Sequence, residues 1–178
     1  MEMAPASDEQ PVFALAPAAG DVDILVAAEM MEAGRAIMRG FVTPDRTTLI
    51  ASTHRALAIS EKTVPGDGVA SAEEVRAAAE IAASRLILFD MEQTAVEQGS
   101  VISASLFGAL AGSTALPFER QAFEAAIRGG GRGVEASLRA FDAAFEKASA
   151  GGVDAAEAAA PEKKPAGKPR GADTLVSE

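Results

Sequence analysis

The stretch Gly20–Ser60, GDVDILVAAEMMEAGRAIMRGFVTPDRTTLIASTHRALAIS, decides the fold. DILVAA (23–28) is an apolar run of strand length. EAGRAIMRG (32–40) carries apolar residues at helical spacing, and TTLIAS (47–52) returns to β-branched residues after a Thr43-Pro44-Asp45 turn. A strand, a helix and a second strand in so short a span form a βαβ unit. Such units imply a parallel sheet, whose ligands usually sit at the carboxyl ends of the strands.

On the N-terminal side, MEMAPASDEQ (1–10) reads as a disordered lead-in, and Val12–Ala16 offers one short strand that its flanking prolines would hold at a sheet edge. On the C-terminal side, Ala56–Ser60 could continue as a short strand, and KTVPGDGVA (62–70) is a turn region. Ser71 and Glu74 then fit a capping box, starting a helix over SAEEVRAAAEIAAS (71–84), and RLILFD (85–90) is the next strand. Beyond it the periodicity is helical through MEQTAVEQ, SVISASLFGALAG, FERQAFEAAIR and VEASLRAFDAAFEKA, with GGGRG (129–133) separating the last two. Residues 149–178 are low-complexity Ala/Pro/Lys/Glu sequence, a linker or solvated tail. The expectation is an α/β, Rossmann-like three-layer domain over 11–148, with a mostly parallel sheet and a helical C-terminal half. Three or four strands are few for so many helices, so a partner is expected to complete the core.

Composition narrows the function. At 178 residues the chain is long enough for one domain with a real core. Aromatic residues make up 4 %, with no Trp or Tyr, so the core must be aliphatic and stacking on bases is disfavoured. A net charge of −10 and a pI near 4.6 repel phosphate backbones, which argues against nucleic acid or an anionic membrane as partner. The absence of cysteine excludes disulfides, a thiol nucleophile, a zinc ribbon and thiolate-held iron–sulfur clusters on this chain. The first residues are acidic, the wrong charge for a leader, and no run reaches the roughly 18 apolar residues of a membrane span. Cytoplasmic residence is expected.

Candidate chemistry gathers at the strand ends. Glu29, like Glu32, falls where the first strand gives way to its helix; it could accept bonds from a ribose or an amine, or simply complement the helix dipole. Ser52, Thr53, His54 and Arg55 end the second strand and include the only histidine. His54 could act as a general base if a carboxylate oriented it, or it could be a loop histidine bonded locally. Asp90 closes the third strand as a ligand contact or as a helix cap. A single histidine and no cysteine give no metal-ligand set. The glycines at 66–68 and 129–133 lack the Lys-Ser/Thr pair of a P-loop and read as flexible connections. Gly108–Gly112 and the Met30, Met31, Met38 and Phe41 set read as packing.

Taken in order, VDILVAAEMMEAGRAI, TTLIASTHR, GSVISASLFGALAGSTALPF and VEASLRAFDAAFE resemble the latter part of the gamma-type domain of 2-oxoacid:ferredoxin oxidoreductases, in particular the indolepyruvate oxidoreductase beta subunits. Glu32-Ala33-Gly34-Arg35 matches the family's "EALR" helix start and Ser52–Arg55 its Thr-rich loop. Ser103–Leu110 with Leu116-Pro117 matches its "NxxxLGAL" helix and Leu-Pro turn, and Glu135–Phe141 its "EANLRAF" helix. The family's opening strand, its GxGGQG-like turn and its "QRGG" region have no counterpart here, so the N-terminal part of the family domain is expected to be missing. The resemblance implies oxidative decarboxylation of an aryl pyruvate to an acyl-CoA, with ferredoxin reduced. It places thiamine diphosphate, CoA and iron–sulfur clusters in the holoenzyme, on a catalytic partner subunit or domain rather than on this chain. Two readings from other classes stand beside it: an α/β module binding a small anion or nucleotide, and a packing domain for a partner.

Overall fold

The computed structural model describes residues 1–4, 6, 11–54 and 72–153. Three strands form one parallel sheet in the order β1 (Ile24–Ala27), β2 (Thr48–Ser52), β3 (Arg85–Phe89). Ile24 pairs with Thr48 and Thr48 with Arg85, so the strands enter the sheet in step. Six helices accompany them among the described residues: α1 (Met30–Met38), α2 (Ala72–Ala82), α3 (Met91–Glu97), α4 (Ile102–Gly112), α5 (Arg120–Arg128) and α6 (Val134–Ser149). This is the α/β Rossmann-like arrangement that the alternating pattern predicts.

Alternation along the strands builds two cores. Leu49, Ala51 and Leu88 point to one face, where Met30 and Ala33 of α1 and Val75 and Ala79 of α2 cover them. Ile50, Ile87 and Phe89 point to the other, against Met91 of α3, Ala109 of α4, and Ala144 and Ala148 of α6. Leu49, Ile50, Ile87, Leu88 and Phe89 are wholly buried. At about 1.5–3 kcal/mol per buried side chain of this size, strands β2 and β3 dominate the core's stability. Beyond α4, Phe123 on α5 and Phe141 on α6 make a third cluster with Phe107 and Phe145, their rings 5.0 to 6.4 Å apart.

The turn between α1 and β2 is fixed by Thr47. Its buried hydroxyl donates to the Val22 carbonyl at 2.8 Å and accepts the Thr43 N–H at 3.0 Å, tying the Pro44-Asp45 turn to the start of β1. Arg46 reaches across from the same turn to Asp21 and Asp23.

The structure departs from expectation at both termini. Val12–Ala16 is not a strand but exposed coil; the prolines on either side remove donors, no strand lies beside it, and the Ala14 N–H bonds the Glu2 carboxylate at 2.8 Å instead. At the other end Gly152 and Val153, though Val153 stays exposed, return to the sheet edge: Leu88 and Val153 form a parallel bridge, and the Leu88 N–H donates to the Gly152 carbonyl at 2.5 Å. The proposed strand at Ala56–Ser60, the 62–70 turn and Ser71 lie outside the described residues. Among the described residues no helix is long and apolar enough to cross a membrane.

Candidate functional site

The carboxyl ends of the three strands form a rim held by main-chain bonds. The Met30 N–H at the start of α1 donates to the His54 carbonyl at 3.1 Å, joining the end of β1 to the end of β2. The Thr53 N–H donates to the Phe89 carbonyl at 3.0 Å, joining β2 to β3. Glu29, Thr53, His54 and Asp90 are thereby brought to one edge of the molecule. Arg55 lies outside the described residues.

Two of these residues serve the rim itself. Ser52 is fully buried, and its hydroxyl accepts the N–H of Met91 at 3.1 Å and that of His54 at 3.2 Å, so it fixes the turn after β2 against the first residue of α3. Asp90 caps α3: its carboxylate accepts the Gln93 N–H at 2.7 Å, and its carbonyl accepts the Thr94 hydroxyl at 2.7 Å. Glu29 occupies the cap position of α1 without bonding the helix through its side chain; its carbonyl takes the N–H of Glu32 and Ala33. The side chains of Glu29, Thr53 and His54 make no hydrogen bond or ion pair with a described residue and are partly exposed, which leaves one carboxylate, one hydroxyl and one imidazole to meet a ligand. His54 has no carboxylate bonded to it, so the orienting partner of a general base is absent among the described residues.

Lys147 was not singled out by the sequence. Its ammonium donates to the Thr94 hydroxyl at 3.2 Å and lies 5.4 Å from the centre of the Phe89 ring, behind the start of α3. Fifty-three positions separate Lys147 from Thr94, and no local pattern signals such a contact.

The electrostatics of the domain are decided elsewhere. Arg46 holds the Asp23 carboxyl below its ordinary value, chiefly through their hydrogen bond. Arg120, between α5 and α6, bonds Glu124 at 2.8 Å, Asp142 at 2.7 Å and Glu146 at 3.3 Å, with its guanidinium 4.5 Å from the Phe145 ring centre. The hydrogen bond to Glu124 is the largest cause of a raised Arg120 pKa, and Arg120 and then Arg128 lower that of Glu124.

The donor set does not fit an iron–sulfur cluster, one of the groups that the resemblance places in the holoenzyme. With no cysteine the chain offers no thiolate to an iron–sulfur cluster, and among the described residues no three acids or histidines converge to hold the metal ion that accompanies a diphosphate. Among the described residues, the rim offers a carboxylate, a hydroxyl and an imidazole that can bind or orient a polar group.

Comparison with known proteins gives the context for this rim. The family model described as pyruvate ferredoxin/flavodoxin oxidoreductase matches residues 6–147. No curated protein and no solved structure matches the chain. The matched span takes in all three strands and nearly the whole of the helical half, and on that ground the chain belongs to the pyruvate ferredoxin/flavodoxin oxidoreductase family.

Proposed function

We propose that this chain is a component of a multisubunit 2-oxoacid:ferredoxin oxidoreductase acting on an aryl pyruvate such as indolepyruvate, and that it is not catalytic alone. In that reaction the bond between the carboxyl and oxo carbons breaks, CO2 leaves, the acyl group passes to the CoA sulfur as the thiol proton is released, and the two electrons would pass singly to two ferredoxins. Thiamine diphosphate on a partner subunit supplies the electron sink. The observation that carries the reading is the family match over residues 6–147 on a chain without cysteine. Electron transfer through clusters needs thiolates that this sequence lacks, so the reading puts the clusters on a partner subunit or domain. The aryl-pyruvate substrate rests on the likeness of 22–37, 47–55, 99–118 and 134–146, taken in order, to the indolepyruvate beta subunits.

The test is indolepyruvate- and CoA-dependent viologen reduction by the tagged full chain, purified anaerobically with its partners from its source cells. Activity is expected in the complex, lost when the partners are stripped away and restored when they are returned. Turnover of a 2-oxoacid by the chain alone would overturn the reading; a complex that uses pyruvate and refuses indolepyruvate would replace the substrate and keep the rest.

One observation favours a second reading. Among the described residues, the side chains of Glu29, Thr53 and His54 are unengaged at the strand ends, the usual ligand position of a parallel sheet. A module binding a small anion or nucleotide there would melt at higher temperature with its ligand present, since binding only the folded state stabilises it.

A further inference from the structure

Away from the rim, a cavity of about 400 Å³ is built against the phenylalanine cluster. Phe107 and Leu110 of α4, Leu116 and Phe118 of the turn after it, and Phe123 of α5 form its walls. Met1 and Met3 of the N-terminal segment lie across it, and among the described residues no polar side chain lines it. Five of the eight phenylalanines of the chain gather in this ring cluster, in a sequence with no Trp or Tyr. A concave site of this volume with an apolar lining is the usual form of a small-molecule pocket.

Three of its walls are held in place by bonds outside the cavity. α4 lies on α6 in backbone contact at Gly108 and Gly112, and Arg120 ties α5 to Asp142 and Glu146 of α6. The turn between α4 and α5 is braced at Ser113, whose hydroxyl donates to the Leu110 carbonyl at 2.6 Å and accepts the Ala115 N–H at 3.2 Å, and whose carbonyl accepts a bond from the Arg85 guanidinium. Thr114 follows at φ 55°, a left-handed conformation that β-branched residues avoid. Such strain persists only where the surroundings over-determine it, and here it falls just before Leu116 and Phe118 turn to the cavity. The fourth wall is soft. Met3 is 54 % exposed and Met1 wholly so, although both face an apolar space, and the segment is tied by the Glu2 carboxylate accepting the Ala14 N–H at 2.8 Å. Unbranched methionine adapts to the shape it meets, so a molecule seated beneath these two side chains would bury both.

The lining selects the ligand. A carboxylate or phosphate seated here would lose its hydration and meet no cation or side-chain donor in return. We infer that the cavity between α4, the turn after it and α5 binds a small uncharged aromatic or aliphatic molecule, with Met1 and Met3 closing over it. A 2-oxoacid does not match this lining, so the inference goes beyond the proposed function and does not rest on it.

Phenylnaphthylamine, an uncharged dye whose emission rises in apolar surroundings, tests it on the full chain, alone and with its partners. One saturable site per chain is expected, and anilinonaphthalene sulfonate, the same ring skeleton bearing a charge, should bind at least about tenfold more weakly. Ala122→Phe adds a ring at an exposed α5 position that lines the cavity, and it is expected to weaken the dye at least about tenfold without lowering the melting temperature. Met3→Glu should act in the same direction, while Met38→Glu, 82 % exposed on α1, binds as the parent does. Parent affinity in Ala122→Phe, equal affinity for the sulfonate, or no saturable binding overturns the inference. Should Ala122→Phe unfold, Met3→Glu decides by the same criterion. Loss of the dye when a partner or a second copy associates makes the cavity a subunit contact; it overturns the ligand site and leaves the proposed function standing.

Discussion

The two helical layers on either side of the sheet are packed by different rules. In the α1–α2 layer, helices meet through side chains: a methyl added at Gly34 would come to 3.2 Å from both Val75 methyl carbons. In the α4–α6 layer they meet through backbone. A methyl at Gly108 would collide with the Phe141 carbonyl oxygen and reach 2.9 Å from its carbon, and one at Gly112 would lie 2.6 Å from the Phe145 oxygen. Side chains can turn away from an intruder; a helical carbonyl cannot without breaking its own bond. The first layer therefore tolerates sequence change and the second fixes it, which suits a helix pair that carries α5 and the phenylalanine cluster on its outer side.

Gly108→Ala is the sharpest test of that difference. The substitution raises helix propensity by about 1 kcal/mol, yet the added methyl must separate two helices in backbone contact, and overpacking of that kind costs about 1–3 kcal/mol or more. A net loss of about 2 kcal/mol or more is expected in denaturant unfolding. A neutral result would show that α4 and α6 can separate freely and would remove the distinction between the layers. One turn earlier on α4, Ser105 is fully buried and its hydroxyl has no hydrogen-bond partner. Ser105→Ala is expected to stabilise by about 1 kcal/mol, because it deletes an unsatisfied polar group without changing the packing volume much. A loss of stability there would mean the hydroxyl does have a partner, and would make it the first polar contact to seek in the α4 layer.

The same contrast explains what the sequence disclosed. Strand and helix positions were legible because both faces of β2 and β3 are buried, which forces continuous apolar runs at Leu49–Ala51 and Ile87–Phe89, and because α6 alternates its apolar face at helical spacing. The capping role of Asp90 was one of two readings, and its 2.7 Å bond to the Gln93 N–H fills it. Val12–Ala16 misled because a short apolar run between prolines does not make a strand; it needs a neighbour to bond. The placement of Val153 beside β3 was hidden because it joins residues 65 positions apart in a segment whose composition signals disorder. Ser52 was named as a ligand candidate for its place at a strand end, but sequence could not show that its hydroxyl faces inward to two main-chain N–H groups. Lys147 and Arg120 act through side-chain contacts between helices distant in sequence, for which periodicity gives no sign.

Acid offers a milder comparison. Within α5 Glu124 pairs with Arg120, which in turn bonds Asp142 and Glu146 of α6, and the Glu124 pKa is lowered from 4.5 by hydrogen bonds from Arg120 and Arg128. A carboxylate whose folded pKa lies below its unfolded one contributes stability that is complete above the unfolded value and is lost as pH falls through the folded value. Melting temperature is therefore expected to decline as pH passes below 4.5, with amides of α5 exchanging earlier than those of α1. In Glu124→Gln the difference between the two helices should shrink. The exposed setting keeps this effect small, and it should weaken further in high salt. If α1 loosens first, the outer attachment of α5 rests on the phenylalanine contacts and not on Arg120.

Gly34→Ala is expected to show the smallest change, and for that reason it is the proper control for Gly108. Alanine in place of glycine within a helix gains about 1 kcal/mol from backbone entropy and propensity. Against this stands a contact of 3.2 Å with the methyls of Val75, close enough that α2 must give by a few tenths of an ångström. Val75 is a side chain on a helix whose other buried residue is the small Ala79, so the shift is borne by methyl groups and not by a carbonyl. The two effects nearly cancel, and unfolding free energy should move by no more than about 0.5 kcal/mol in either direction. A gain of the full propensity term would mean that α1 and α2 slide past each other without resistance. A loss comparable to that of Gly108→Ala would show that side-chain contact in this layer is as unyielding as backbone contact in the other, and the rule separating the layers would fail at the position where it predicts tolerance.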